Sequence, residues 1–324
     1  MTKCSVVIPY YQREPGILRR ALASVFAQTH ANFDVIVVDD ESPYPIEMEL
    51  DGINPGQLDR LIIVKQPNGG PGAARNAGLD RVPADSDYVA FLDSDDEWTP
   101  DHLKIALSAL SLFDAQCYFA AIGGGDAFHY HFDMTALSQR TELSRLSDDP
   151  PIFEAVDLPG VMLENWSFMH LSCMVIAAPL FRTIRFEASL RLAAEDVLFF
   201  YECVRKASRS ILSDTPGAVR GEGLNIFHGV DNTSPQFLKQ QFNTWAALDR
   251  LERQFDHAPK DLASIEGYKQ TARRQALWGQ AKLIKHRRPP QLGELARWAW
   301  RDPKLMASAL GLALSKFRKQ AERP

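Results

Sequence analysis

Four carboxylates fall within five residues in Phe91-Leu-Asp-Ser-Asp-Asp-Glu-Trp98. Like charges crowded into one turn repel each other unless something positive sits among them. Hard oxygen ligands of this kind suit magnesium or manganese, which proteins hold through one or two carboxylates together with substrate phosphates. A solvated acidic turn is the plain alternative. A second acidic turn, Val38-Asp-Asp-Glu-Ser42, stands at the end of an apolar run. Its carboxylates either cap the next helix, are simply solvated, or accept the imide N–H of a uracil, a hydrogen bond cytosine cannot offer because that nitrogen carries no proton. The stretch Asn68-Gly-Gly-Pro-Gly-Ala-Ala-Arg-Asn-Ala-Gly78 has glycines that let a ligand approach the backbone, and a helix start that favours anions. It is no dinucleotide fingerprint, since Arg75 occupies the third glycine position after Gly70 and Gly72, and it lacks the Gly-Lys-Ser/Thr of a phosphate loop. Far downstream, Glu195-Asp196 precedes an apolar helical stretch. Helix capping accounts for at most one of the two; the other, aimed at an acceptor hydroxyl, suits a general base. His228, in Asn225-Ile-Phe-His-Gly, ends an expected strand and offers either a structural imidazole or a metal contact.

These loops need a scaffold that collects them. Cys4–Ile8, Phe33–Val38, Leu61–Val64 and Tyr88–Leu92 are short, Val- and Ile-rich runs that read as buried strands. Between them, Ile17–Gln28 has apolar residues at helical spacing, and Pro71–Leu79 and Pro100–Phe113 read as helices with proline near the start. That rhythm predicts an α/β fold with a mostly parallel sheet covered by helices, whose ligands bind beyond the carboxyl ends of the strands. Farther on, Ser138–Pro151 reads as a polar connection, Met174–Ala178 as a strand and Asp196–Ala207 as a helix, and from Pro235 the pattern turns helical.

The 324 residues, 45% hydrophobic and 24% charged, exclude disorder, collagen-like repeats and a disulfide scaffold. The run Leu305–Leu314 is about half the length of a membrane-spanning helix, and no secretory signal precedes Cys4, so a cytoplasmic address is expected. Four scattered cysteines without a Cys-x-x-Cys pair fit buried, reduced thiols. From Lys260 onward there are 15 Lys and Arg against 5 Asp and Glu, although the whole chain has a net charge of −5. This basic tail, interleaved with Trp278, Trp298 and Trp300, suits either an anionic membrane surface, at the inner face of the plasma membrane, or a helical cap or dimer contact. The acidic body argues against nucleic acid as a partner.

Taken together, Ser5-Val-Val-Ile-Pro-Tyr-Tyr, Val38-Asp-Asp-Glu-Ser, Asn68-Gly-Gly-x-Gly-x-Ala-Arg-Asn-x-Gly, Asp93-Ser-Asp-Asp and Glu195-Asp196 resemble the family 2 inverting glycosyltransferases of GT-A fold. A weaker likeness, at Gly221-Glu-Gly-Leu-Asn-Ile-Phe-His, is to the subset that builds bacterial exopolysaccharides such as succinoglycan. The resemblance covers about the first 235 residues. It implies a catalytic domain over 1–234, with a nucleotide-sugar half (1–125) and an acceptor half (126–234), followed by a helical basic region over 235–324. It implies a UDP-sugar donor, a saccharide or lipid-linked saccharide acceptor, and Mn²⁺ or Mg²⁺. By the same resemblance Pro9, Tyr11 and Asp40 flank the uridine, Gly70 and Arg75 lie near the nucleotide or diphosphate, and Asp93, Ser94 and Asp95 line the nucleotide sugar. Asp95 holds the metal, with Asp93 and His228 as further contacts, and Asp196 is the base with Glu195 beside it. A sugar-nucleotide pyrophosphorylase is disfavoured, because Pro9-Tyr-Tyr-Gln-Arg-Glu-Pro-Gly replaces the Arg- and Lys-containing glycine signature of those enzymes. A non-catalytic nucleotide-sugar-binding partner of a polymer synthase is the other rival, against which Asp95 and Asp196 both speak.

Overall fold

The computed structural model describes residues 2–123, 134–165, 168–221 and 230–309. The chain divides into two compact units, Met1–Arg191 with Glu195–Leu224, and Leu192–Ala194 with Asn225–Pro324. The first unit is built on ten strands: β1 Cys4–Tyr10, β2 Phe33–Asp39, β3 Leu61–Lys65, β4 Tyr88–Phe91, β5 Glu97–Trp98, β6 Cys117–Gly123, β7 Leu143–Asp148, β8 Pro151–Ala155, β9 Met174–Ala177 and β10 Ser210–Val219. They form one sheet in the order β3-β2-β1-β4-β9-β6-β10-β8-β7, with β5 paired to β10.

The half containing β3, β2, β1 and β4 is parallel throughout, because helical crossovers join these strands. Strand β1 is buried along almost its whole length, and its one central hydroxyl, Ser5, is satisfied by Ser86 at 2.8 Å. The Pro71–Leu79 helix packs tightly onto this strand: a Cβ on Gly78 would stand 2.5 Å from Val7 Cγ1, so only glycine fits. On one face of the sheet Val6, Ile8, Leu18, Leu22, Val35 and Leu103 contribute to the main core. Elsewhere Phe186 stacks on Phe199 at 3.8 Å, and both meet Phe91 edge-on at 5.6 Å.

Strand β9 breaks the parallel pattern. It runs antiparallel to both β4 and β6, so the residues before Met174 lie at the edge where β4 and β6 end. The polar Ser138–Pro151 connection contains structure that its composition hides. Met134–Ser138 is helical, and β7 and β8 form a hairpin around Asp149-Pro150, with Asp148 opposite Pro151. The Asp-Pro pair is a turn signal, and pairing of β8 with β10 ties the hairpin to the sheet.

In the second unit the helices Pro235–Gln254, Pro259–Lys285 and Leu292–Arg301 enclose Leu238, Trp245, Ala272, Ala276, Trp298 and Leu305. Part of the basic character expected for the tail is spent inside this bundle. Lys269, buried, reaches Asp249 at 2.7 Å and Glu252 at 2.6 Å; Arg273, also buried, reaches Asp302 at 2.6 Å and Glu266 at 2.7 Å. No helix among the described residues is long and apolar enough to cross a membrane. All four cysteines are free and buried.

Candidate active site

The parallel register brings the ends of β1, β2 and β4 side by side, with Tyr10 opposite Asp39 and Val7 opposite Phe91. Pro9, the penultimate residue of β1, pairs in register with Val38, and Tyr11 follows directly after the strand. Gln12, just beyond, donates through Nε2 to Ser94 Oγ at 3.1 Å, and its carbonyl accepts the Tyr44 amide at 2.9 Å. Asp40 turns both carboxylate oxygens toward the glycine loop: Oδ1 accepts from Gly69 N (2.7 Å) and Gln66 Nε2 (2.7 Å), and Oδ2 from Gly70 N (2.8 Å). Asp40 therefore orders the loop that carries Gly70. From there the Pro71–Leu79 helix delivers Arg75 to the acidic turn.

Arg75 is only 5% exposed. Its Nη2 donates to Asp93 at 2.7 Å and its Nη1 to Glu195 at 3.1 Å, while the guanidinium lies 5.4 Å from the Phe186 ring centre. One buried fork thus joins two acidic loops separated by about a hundred residues of sequence. Burial alone would lower the Arg75 pKa, but Asp93 and Glu195 together hold it above the ordinary range. Burial likewise works to raise Asp93, yet Arg75 together with His170 and Arg220 outweighs it and keeps this carboxyl below its usual value. Glu195 behaves differently: burial and the adjacent Asp196 push it up to about 7 in spite of Arg75. The shorter contact is thus also the one that wins electrostatically.

Asp96 is almost fully buried. Its Oδ2 accepts from Ser172 Oγ at 2.6 Å and its Oδ1 from the Gly221 amide at 3.1 Å. Ser172 Oγ in turn accepts the Asp93 amide at 3.0 Å, and the Ser172 amide donates to His170 Nδ1 at 3.3 Å. Donor atoms of Asp93, Asp96 and His170 all lie within 4.8 Å of one another. His170 Nδ1 is 3.5 Å from Asp96 Oδ2. Two carboxylates and an imidazole fit a small divalent ion, and burial together with Asp93 raises Asp96 in its absence. Asp95 lies outside that group of three; burial and the charges of Asp96 and Asp93 push it up to about 7. His228 lies outside the described residues.

Glu195 and Asp196 open the helix Glu195–Lys206. Asp196 Oδ1 accepts its neighbour's amide, Val197 N, at 2.7 Å, and burial raises its pKa. The residue before the pair, Ala194, sits at φ 67°, a left-handed conformation that costs a residue with a Cβ roughly 1–2 kcal/mol. Strain of this kind persists where the surrounding structure enforces it.

Sequence reasoning missed His170, Ser172 and the part played by Asp96. Their only local signal was the polar His170-Leu-Ser172 segment ahead of a strand. Nothing in it announces that β9 runs antiparallel and so returns to the acidic turn.

Raised carboxyls give the metal-free protein a distinctive pH response. The folded state retains protons on Asp95 and Glu195 up to about pH 7, where the unfolded chain has already lost them. Stability therefore falls as pH rises from about 4 to 7 and levels off above. Calorimetric melting of the metal-free protein is expected to give a lower midpoint at pH 8 than at pH 6, with Asp95→Asn flattening the difference. Any ligand that binds the folded state alone adds about 2.7 kcal/mol at about 100 times its Kd, so the same melt repeated with Mn²⁺ checks for a bound ion. A midpoint that climbs between pH 6 and 8 without metal would contradict these shifts.

With this geometry in place, a relative called succinoglycan biosynthesis protein ExoW, from Rhizobium meliloti strain 1021, is 62% identical over 317 residues, 98% of this chain and 99% of its own length. The chain belongs to glycosyl transferase family 2. The family model itself matches residues 5–156, the stretch that carries the first three acidic or glycine-rich loops. This glycosyltransferase is also 30% identical over 186 residues to the amylovoran biosynthesis glycosyltransferase AmsB of Erwinia amylovora, covering 56% of this chain and 58% of that one. Among solved structures, S. aureus TarS 1-349 in complex with UDP-GlcNAc superposes with a TM-score of 0.61 at 20% identity, over 88% of this chain and 81% of that one. A further structure of S. aureus TarS 1-349 gives 0.60 at 19% identity, over 86% of this chain and 81% of that one. The likeness identifies the fold as GT-A, as the family resemblance of the motifs implied.

Proposed function

We propose that this glycosyltransferase moves a hexose from a UDP-sugar to a hydroxyl of a saccharide or lipid-linked saccharide during bacterial exopolysaccharide synthesis, with inversion at the anomeric carbon. One observation carries the reading: Arg75 locks the donor-side turn Asp93–Asp96 and the acid pair Glu195–Asp196 into one site. The similarity to a succinoglycan biosynthesis protein and the UDP-GlcNAc complex of TarS support the donor and pathway class. A cytoplasmic location accords with both.

Single displacement requires a base on the face of the sugar opposite the leaving diphosphate. Asp196 takes the acceptor proton, and its raised pKa brings it nearer the working pH, where a base is most effective. Glu195, tied to Arg75, keeps Asp196 oriented. Asp40 and the glycine loop shape the uridine end, with Pro9 and Tyr11 beside it, and Ser94 is fixed by Gln12. Asp93, Asp96 and His170, with Asp95 adjacent, would hold Mg²⁺ or Mn²⁺. Such an ion, when bound, stabilises negative charge on the leaving diphosphate.

A donor panel of UDP-glucose, UDP-galactose, UDP-N-acetyl sugars and GDP-mannose, with and without Mn²⁺, tests the reading through nucleotide release. Metal-stimulated release of UDP from at least one donor is expected; release from GDP-mannose alone, or from none, would overturn it. Asp95→Ala is expected to weaken metal-dependent UDP binding about 10–100-fold by isothermal titration, the range typical for loss of a supporting group at a metal site. An unchanged titration would remove Asp95 from the site.

A further inference from the structure

The second unit presents a surface that transfer chemistry does not use. In the Leu292–Arg301 helix, Trp298 is buried against Phe242 and Trp245, while the opposite stripe, Leu292, Ala296 and Trp300, faces outward at i, i+4, i+8 spacing. Trp300 is 89% exposed. On either side of it runs a groove of about 590 Å³, one toward Trp245 and Ala246, the other toward Leu238 and Phe242. Both have apolar floors. Their rims carry Lys239, Arg250, Arg253, Arg297 and Arg301, against two acids, Asp249 and Glu294. Each acid is itself paired, Asp249 with Arg253 and Lys269, Glu294 with Arg297.

We infer that this face docks on an anionic phospholipid surface. An exposed indole prefers the interface between headgroups and acyl chains, where its ring is buried and its N–H stays wet. Guanidinium groups set around an apolar floor match phosphates above the start of acyl chains, and each cation near such a surface contributes about fivefold to partitioning. Charge complementarity selects the occupant. A second copy meeting this face through a two-fold axis would bring the same arginines against one another, which an anionic partner does not. Docking also concentrates the enzyme where a lipid-linked acceptor resides, yet it does not depend on the donor or base assignments.

Vesicle flotation of the full chain tests the inference without any activity readout. Association is expected with phosphatidylcholine vesicles containing about 30 mol % phosphatidylglycerol at low salt, and its loss with pure phosphatidylcholine or at about 0.5 M salt. Arg297→Gln with Arg301→Gln should weaken partitioning about 30-fold. Trp300→Ala should weaken it at least about 10-fold, with Trp300→Phe intermediate. These side chains are exposed, so unaltered circular dichroism and melting are expected for each variant and separate docking from unfolding. Three results would overturn the proposal: no association of the unaltered chain with anionic vesicles, association equally strong in the variants, or a dimer that Trp300→Ala converts to monomer.

Discussion

Asp196→Asn is expected to lower sugar transfer about 10²–10⁴-fold while leaving UDP affinity within about twofold. The amide has nearly the shape of the carboxyl, and its oxygen can still accept the Val197 N–H that Asp196 Oδ1 now takes at 2.7 Å. The helix start therefore survives, and what disappears is the capacity to accept a proton. Loss of kcat with unchanged donor binding marks a group that acts in the transition state alone. A pH–rate profile adds an independent readout. Burial raises Asp196, so the acidic limb of the wild-type profile should lie above the pH of an ordinary aspartate, and the residual activity of the Asn variant should lack that limb. Near-normal turnover in Asp196→Asn would move the base elsewhere.

Arg75→Met is expected to produce the largest loss of stability of any single change in the first unit. Removing one partner of a buried ion pair leaves the other uncompensated, at about 3–5 kcal/mol. Here two partners are stranded, Asp93 at 2.7 Å and Glu195 at 3.1 Å. At about 2–4 °C per kcal/mol, the melting midpoint should fall by roughly 10 °C or more. Arg75→Lys should recover only part of this, because a single ammonium cannot fork to two carboxylates. The loss should shrink at pH 5, where Glu195, pushed up to about 7, takes a proton and no longer needs a counterion. An Arg75→Met protein that melts like wild type at pH 8 would sink the view that this guanidinium holds the two loops together.

Much of this was legible in local residue order, and for identifiable reasons. The Val- and Ile-rich runs were placed to within one or two residues, since a strand buried on both faces must be apolar along its length. The structure extends β1 through Pro9 to Tyr10 because pairing with β2 continues there, and proline is tolerated near a strand end. The acidic turns and the glycine loop were visible as departures from what a simple loop requires. Composition misled where structure depends on pairing. The polar Ser138–Pro151 stretch holds a hairpin, and the basic tail draws Lys269 and Arg273 into internal ion pairs.

The sequence by itself determined which groups could do chemistry: carboxylates at 93–96 and 195–196, a carboxylate at 40, a guanidinium at 75, each beside a turn. It did so because residue type and short-range spacing carry charge, hydrogen-bonding capacity and helix or strand period. Which of them meet was decided only in three dimensions. The antiparallel run of β9 brings His170 and Ser172 to Asp93 and Asp96. The path of one helix aims Arg75 between Asp93 and Glu195. Strand direction and helix path follow from packing the whole sheet at once, and no stretch of chain encodes that sum alone.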